Sequence, residues 1–370
     1  MMKFSIPIIF LLFASSCFSF SYSTEQYTSI FSFGNSLADT GNFLITAAQA
    51  FPMVARLPYG ITYFKRPTGR FCDGRLVVDF VAEALGLPLL PPYLARASNF
   101  QQGANFAVAG ATALNPAFFI QRGLGSLLWT NYSLSTQLAW FEELKPSLCH
   151  THQDCSKYFK KSLFLLGEIG GNDYNYLLLL GRVTIQQVYT YVPMVIQEVA
   201  DAAQRLIEHG AVNLVVPGNL PIGCNPLYLT VLRSPNPADY DAITGCLKPL
   251  NQFSMYHNAL LITALEKLRL KNPHANIVYA DYYNAALQLD LFPFKFGFIH
   301  GPLITCCGSG GGPYNVNVSA FCGAPGSRLL GDPSSYLNWD GIHLTEAGYL
   351  NIANGLLYGP YADPPIIHYN

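Results

Sequence analysis

Apolar positions along this chain recur in two rhythms. The first is a short, almost unbroken apolar run that stops at glycine. Residues 28–33 run into Gly34, residues 103–109 into Gly110, and residues 162–166 into Gly167-Glu168-Ile169-Gly170-Gly171. Runs of this length bounded by turn residues read as buried strands. The second rhythm is helical. Residues 75–85 read as a helix, and Val192, Val195, Ile196, Val199, Ala203 and Leu206 repeat at helical spacing, with Gly210 placed to end that helix before a strand at residues 212–216. Phe253, Leu260, Leu261, Ala264, Leu265 and Leu268 mark another helix, followed after Asn272-Pro273 by a strand at residues 277–280. Thr345 is placed to N-cap a last helix, with Glu346 in its first turn. Strands alternating with helices predict an α/β fold whose mainly parallel sheet is covered by helices. No internal repeat interrupts the series.

The strand ends carry the candidate chemistry. The first run leads into Gly34-Asn35-Ser36-Leu37-Ala38-Asp39, so Ser36 is expected where a strand breaks and a helix begins. A serine alcohol is a weak nucleophile until a base takes its proton, and an imidazole held by a carboxylate is such a base. Asp340-Gly341-Ile342-His343 near the other end offers that pair, and a spacing of three puts both side chains on one turn. The second run ends in small residues at Gly110, whose uncovered N–H can approach a ligand closely. The third ends at Asn172, whose side-chain amide can donate to an oxyanion. Each segment also has a plainer reading: Ser36 as a helix cap, the glycines as tight turns, Asn172 as a brace for one of them.

Taken together, and with residues 69–76, residues 216–224 and Cys306-Cys307-Gly308, these segments resemble the plant branch of the GDSL esterase/lipase family, also called SGNH hydrolases after the Ser, Gly, Asn and His of four ordered blocks. The likeness spans nearly the whole mature chain. It implies a three-layer α/β/α sandwich with a mainly parallel central sheet, a single hydrolase domain over residues 24–365, and no cofactor or metal. It implies Ser36 as nucleophile, the Ser36 and Gly110 N–H groups and the Asn172 amide as oxyanion donors, His343 as general base and Asp340 as its orienting partner. One position departs from the pattern: Asn35 stands where the family usually has Asp, keeping the size and an acceptor oxygen but losing the charge. The implied function is a secreted serine esterase or lipase that cleaves carboxylic esters through an acyl-enzyme. The alternatives are an acyltransferase using the same acyl-enzyme and a non-catalytic binding protein of the same fold. The Gly-x-Ser-x-Gly elbow of α/β-hydrolases does not occur in this chain.

Composition places the chain in the secretory pathway. Lys3 precedes an apolar run at residues 6–13, followed by small residues through Ser23, the layout of a signal peptide cleaved near residue 21, within 19–23. That run is too short to span a bilayer, and no later run of about 20 apolar residues suggests a transmembrane anchor. Nine cysteines include Cys17 in the leader, leaving eight for an oxidising compartment. Local spacing and the family likeness imply Cys149–Cys155 and Cys224–Cys246, with Cys322 joined to Cys306 or Cys307, and Cys72 either free or joined to the remaining one of that pair. Asn131-Tyr132-Ser133 and Asn317-Val318-Ser319 are candidate N-glycosylation sites. A net charge of −1 without a basic cluster excludes a phosphate-backbone footprint, hence nucleic acid as a partner.

Other segments carry less. Cys149-His150-Thr151-His152-Gln153-Asp154-Cys155 has metal-ligand residue types but not zinc spacing, and Gly308-Ser309-Gly310-Gly311-Gly312 lacks the Lys-Ser/Thr of a phosphate loop. His209 and His257 sit in helical stretches without a serine or carboxylate motif and are expected to pack or cap, while Asp39, Asn42 and Asp173 are expected to brace the active turns. The substrate is a small-molecule, lipid or acylated-glycan ester. Its acyl and alcohol parts, and the oligomeric state, are left open by the sequence.

Overall fold

The computed structural model describes residues 27–179, 183–310 and 312–367, so the expected leader peptide lies outside the described residues. Five strands form one sheet in the order β2-β1-β3-β4-β5, with β1 at Ser29–Phe33, β2 at Gly103–Asn105, β3 at Ser162–Leu166, β4 at Asn213–Pro217 and β5 at Asn276–Ala280. Every pairing is parallel: Phe31 registers with Ala104 on one side and with Phe164 on the other. Because β1 lies between β2 and β3, successive connections leave in opposite directions from this point. A crevice therefore opens beyond the C-terminal ends of β1 and β3, where open α/β sheets bind their ligands.

The near-continuous apolar runs are explained by burial on both faces. Phe31, Phe33, Phe164, Leu166, Leu214 and Val216 join one core with the helices Leu134–Leu148, Val192–Glu208 and Lys248–Lys271. Ile30, Leu163, Leu165, Val215 and Val278 join the other with Val77–Ala84, Tyr282–Leu291 and Glu346–Leu357. The result is the α/β/α layering expected. Phe141 shows how the first core closes: its ring meets Phe31 edge-on at 5.6 Å and Phe164 at 5.6 Å. Burying a side chain of this size contributes about 1.5–3 kcal/mol.

Local chemistry moves several boundaries from their expected places. The helix read at residues 75–85 starts at Val77 and ends at Ala84, because Asp79 accepts the Leu76 N–H at 2.9 Å while Arg75 turns away to Glu346. Strand pairing in the second run stops at Asn105. Beyond it the Phe106 and Val108 N–H groups still donate to the Ser32 and Gly34 carbonyls, while side chains take other backbone groups: Asn42 Nδ2 donates to the Asn105 and Ala107 carbonyls, and the Ala109 N–H donates to Asp39. The helices Leu134–Leu148 and Tyr282–Leu291 carry no clear apolar stripe in the sequence, and the latter is set by Asp281 accepting the Asn284 N–H.

The disulfides are Cys149–Cys155, Cys224–Cys246 and Cys307–Cys322. Cys307 rather than Cys306 therefore pairs with Cys322, and Cys306 and Cys72 are both buried free thiols.

Candidate active site

Ser36 follows β1 directly, but no helix starts there. Residues 36–38 form a turn in which the Ala38 and Asp39 N–H groups both donate to the Asn35 carbonyl, and the first helix begins only at Asn42. Ser36 is thus not a helix cap. Gln137 holds the approach to the turn through both backbone groups of one residue: Gly34 N–H donates to its Oε1 at 2.9 Å, and its Nε2 donates to the Gly34 carbonyl at 2.8 Å. Sequence reasoning missed Gln137, which lies about a hundred residues away on a helix without a clear pattern.

The turn presents Ser36 Oγ to His343 Nε2 at 2.8 Å. The other ring nitrogen, Nδ1, lies 2.8 Å and 3.0 Å from the two oxygens of Asp340. Both side chains of that pair are only 7% exposed. Asp340 is itself fixed from three more directions, accepting the Ile342 and His343 N–H groups and the Tyr59 hydroxyl at 2.9 Å. Burial alone would raise its pKa, but the facing His343 charge and these hydrogen bonds outweigh it and hold the carboxyl below its ordinary value. Thr345 anchors this loop to the last helix by accepting the Gly348 N–H and donating its hydroxyl to the Tyr336 carbonyl. Phe71 packs beside the His343 ring at 5.0 Å.

Gly110 and Asn172 complete the same crevice. Gly110 has φ +79°, and a Cβ there would meet the Tyr176 hydroxyl at 2.8 Å, so only glycine fits without a shift. Tyr176 donates to the Gly110 carbonyl at 2.8 Å, which fixes the orientation of the peptide that follows. Among the described residues the Gly110 N–H donates to none. Asn172, in the first turn of the helix Gly171–Leu178, is oriented by a relay: Tyr228 donates to Asn175, Asn175 donates to Asn172 Oδ1, and Asn172 Nδ2 donates to the Ala111 carbonyl. An amide nitrogen has two hydrogens, so one N–H of Asn172 is free for a ligand.

The bracing residues behave as expected. Asp39 accepts the Gly41, Asn42, Phe43 and Ala109 N–H groups, and Asp173 accepts those of Ala113 and Leu114. Among the described residues neither forms an ion pair, although Arg70, paired with Asp79, lies within electrostatic reach of Asp39. Burial pushes Asp39 up to about 6 and Asp173 up to about 8, although the N–H donors pull the other way. Asn35 gives its amide to Glu168 Oε2 at 2.5 Å and accepts the Leu37 N–H. Glu168 also accepts the Gly171 N–H, and its burial raises its pKa. Asn35 thus brings an uncharged donor to a buried acid, where a carboxylate would bring a second negative charge.

Two cavities meet at Ser36. The larger, about 340 Å³, is lined by Phe51, Tyr59, Phe71, Trp129, Tyr176 and Phe321 together with His343 and Gly110. Phe51 stacks on Trp129 at 5.3 Å, so these rings form one continuous wall. The smaller, about 80 Å³, is lined by Leu37, Glu168, Asn219, Leu220, Ile222 and Asp290. It shares Ser36, Asn172, Asn175 and Ile342 with the larger cavity but touches neither His343 nor Gly110. The 25 Phe and 23 Tyr of the sequence hinted at an apolar pocket without saying which of them would line it.

The remaining candidates lie elsewhere. His257 accepts or donates to Tyr174 at 2.8 Å in the core, and His209 caps the helix Val192–Glu208 beside Glu142 and Lys145. His150 and His152 belong to the loop and helix closed by Cys149–Cys155. Cys224, Cys246 and Asp290 bring three ligand atoms together, but the two sulfurs are already bonded to each other. Asn131 and Asn317 are both exposed.

Comparison with known proteins gives the same direction. Residues 30–356 match the family model described as GDSL-like Lipase/Acylhydrolase. A GDSL esterase/lipase of Arabidopsis thaliana is 51% identical over 346 residues, covering 92% of this chain and 93% of the relative. A second Arabidopsis GDSL esterase/lipase is 51% identical over 343 residues, 92% of this chain and 84% of the relative. Sinapine esterase of Brassica napus is 47% identical over 345 residues, 92% and 88%.

Proposed function

The chain belongs to the GDSL-like lipase/acylhydrolase family and is a carboxylic ester hydrolase, and from that premise we propose that it works through an acyl-enzyme on Ser36. The observation that carries this reading is the 2.8 Å contact between Ser36 Oγ and His343 Nε2, with Asp340 on the far nitrogen. Ser36 Oγ attacks the ester carbonyl while His343 Nε2 takes its proton, and Asp340 stabilises the imidazolium that results. The carbonyl oxygen, now an anion, is received by the Ser36 and Gly110 N–H groups and the free N–H of Asn172. Collapse expels the alcohol, which leaves with the proton from His343. Water then gives its proton to the same nitrogen, attacks the acyl carbon and releases the acid and free Ser36.

The enzyme is secreted in this reading, with residues 1–21 as the leader, cleavage within 19–23 and one hydrolase domain over residues 24–365. The three disulfides support an oxidising compartment, and the exposed Asn131 and Asn317 are open to N-glycosylation. Among the described residues no helix is long and apolar enough to cross a membrane.

A fluorophosphonate probe tests the nucleophile. Peptide mass spectrometry should place the adduct on Ser36 alone, and Ser36→Ala should abolish labelling and ester turnover. Labelling that persists at another residue in that variant would remove Ser36 from the mechanism.

A further inference from the structure

We propose that the two cavities divide the ester between them: the large aromatic cavity takes the alcohol part and the small cavity takes the acyl part, so the preferred substrate is a short-chain ester of a bulky aromatic or polycyclic alcohol. The assignment rests on the acyl-enzyme reading above and deepens it. The argument starts from the proton. The leaving oxygen must lie against His343 Nε2 to receive it, so the alcohol must occupy the space that His343 borders. His343 lines the large cavity and not the small one. The acyl substituent points away from the leaving oxygen at a tetrahedral carbon, and the space that begins at Ser36 and Asn172 without touching His343 is the small cavity.

Size and chemistry then set the class. By the same measure the small cavity, about 80 Å³, is far tighter than the large one at about 340 Å³, and so suits a short acyl group better than a long chain. The large cavity, at about 340 Å³, lies at the low end of the roughly 300–1,000 Å³ of small-molecule sites. Phe51, Trp129, Phe71 and Phe321 give it flat apolar walls suited to stacking and edge-on contact with another ring. Among the described residues that line it, the ionisable side chains besides tyrosines are His343 and Asp340, which already face each other, and this apolar wall suits an aromatic alcohol better than a charged or many-hydroxylated one.

The test is a matrix of esters with the purified enzyme. 1-Naphthyl acetate, butyrate and octanoate hold the aromatic alcohol and lengthen the acyl chain, whereas methyl and ethyl 1-naphthoate reverse the arrangement. The expected order is acetate first, octanoate lower in kcat/KM by about tenfold or more, and the naphthoates poorest. Ile222→Ala, which enlarges the small cavity, should narrow the acetate-to-octanoate ratio, with a thermal melt to verify its fold. Equal or better turnover of the naphthoates, or of octanoate, by the unmodified enzyme overturns the division. So does fluorophosphonate labelling of Ser36 without turnover in the naphthyl series. Absence of both labelling and turnover brings down the underlying acyl-enzyme reading as well, and this separates the two failures.

Discussion

Asp173 and Glu142 both lie on helices that flank the sheet, yet they are held in opposite ways. Asp173 is 1% exposed, forms no ion pair among the described residues and is held by backbone N–H groups, chiefly those of Ala113 and Leu114, so burial pushes its pKa up to about 8. Glu142, on the outer helix Leu134–Leu148, has a side chain 31% exposed and meets Arg205 at 2.6 Å and His209 at 2.9 Å, and the Arg205 hydrogen bond holds its pKa below the ordinary value. Asp39 follows Asp173 and not Glu142. Around the catalytic crevice, acids fix backbone turns through N–H donors and are driven toward neutrality. Asp340, the carboxyl that meets His343, is instead held below its ordinary value by His343 and its hydrogen bonds.

That contrast is broken most severely at Asp340. Asp340→Asn keeps the size but turns an acceptor into a donor opposite His343 Nδ1, favouring the wrong tautomer, and kcat should fall on the order of 10⁴ with little change in melting temperature. Steady-state kinetics with 1-naphthyl acetate reads it. Asn172→Ala removes one oxyanion donor while Gly110 and Ser36 remain, so kcat should drop on the order of 10²–10³. Normal turnover in that variant would take Asn172 out of the mechanism.

The braced acids make a prediction of sign. Asp39, and Asp73 which accepts the Glu346 N–H at the start of the last helix, rise from 3.8 to about 6 and Asp173 from 3.8 to about 8, chiefly through burial. Groups raised in the folded state take up protons more readily there than in the unfolded chain, so their contribution is full below about 3.8 and is lost as pH rises toward 8. Buried His257, lowered to about 4, works the other way between about 4 and 6.5, but it is one group against three, so the melting temperature should still decline from pH 4 to pH 8. Asp173→Asn should lower it at every pH, since one N–H loses its acceptor, but should flatten the part of the decline above pH 6. An unchanged slope would show that Asp173 is ionised in the fold.

Arg205→Ala sharpens the comparison from the other side. Its side chain is 42% exposed, and a solvent-screened pair of this kind contributes at most about 1 kcal/mol. The expected loss on chemical denaturation is below about 1 kcal/mol, smaller still in high salt, with kcat unaltered.

Much of the site was legible in the chain. Ser36, Gly110 and Asn172 each follow an apolar run, and strand ends deliver side chains to the crevice of a parallel sheet whatever the intervening sequence. Asp340 and His343 are three residues apart, so their pairing is local, and Thr345 marks its helix by the capping rule. Other features are harder to read. Gln137 lies 103 residues from the Gly34 it holds and Tyr59 lies 281 residues from Asp340, and no local pattern distinguishes either from a structural residue. Ser36 as the start of a helix was a misreading of this kind: the Asn35 carbonyl closes a turn at Ser36, and the Asp39 carboxyl takes the Gly41, Asn42 and Phe43 N–H groups, so the helix starts only at Asn42. Cys306 and Cys307 are adjacent, so spacing was unable to choose between them.

The sequence by itself determined the order of the strands and of the strongly patterned helices, the residue types at the crevice and the family, because periodicity, caps and ordered motifs are properties of neighbouring residues. The tertiary structure alone decided which Phe, Tyr and Trp side chains wall the site, that two cavities of unequal size meet at Ser36, and that the buried Asp39 and Asp173 brace its turns through N–H donors rather than ion pairs. Those depend on which distant segments are brought within a few ångströms and how far each is removed from water, and no stretch of chain carries that information before it is packed.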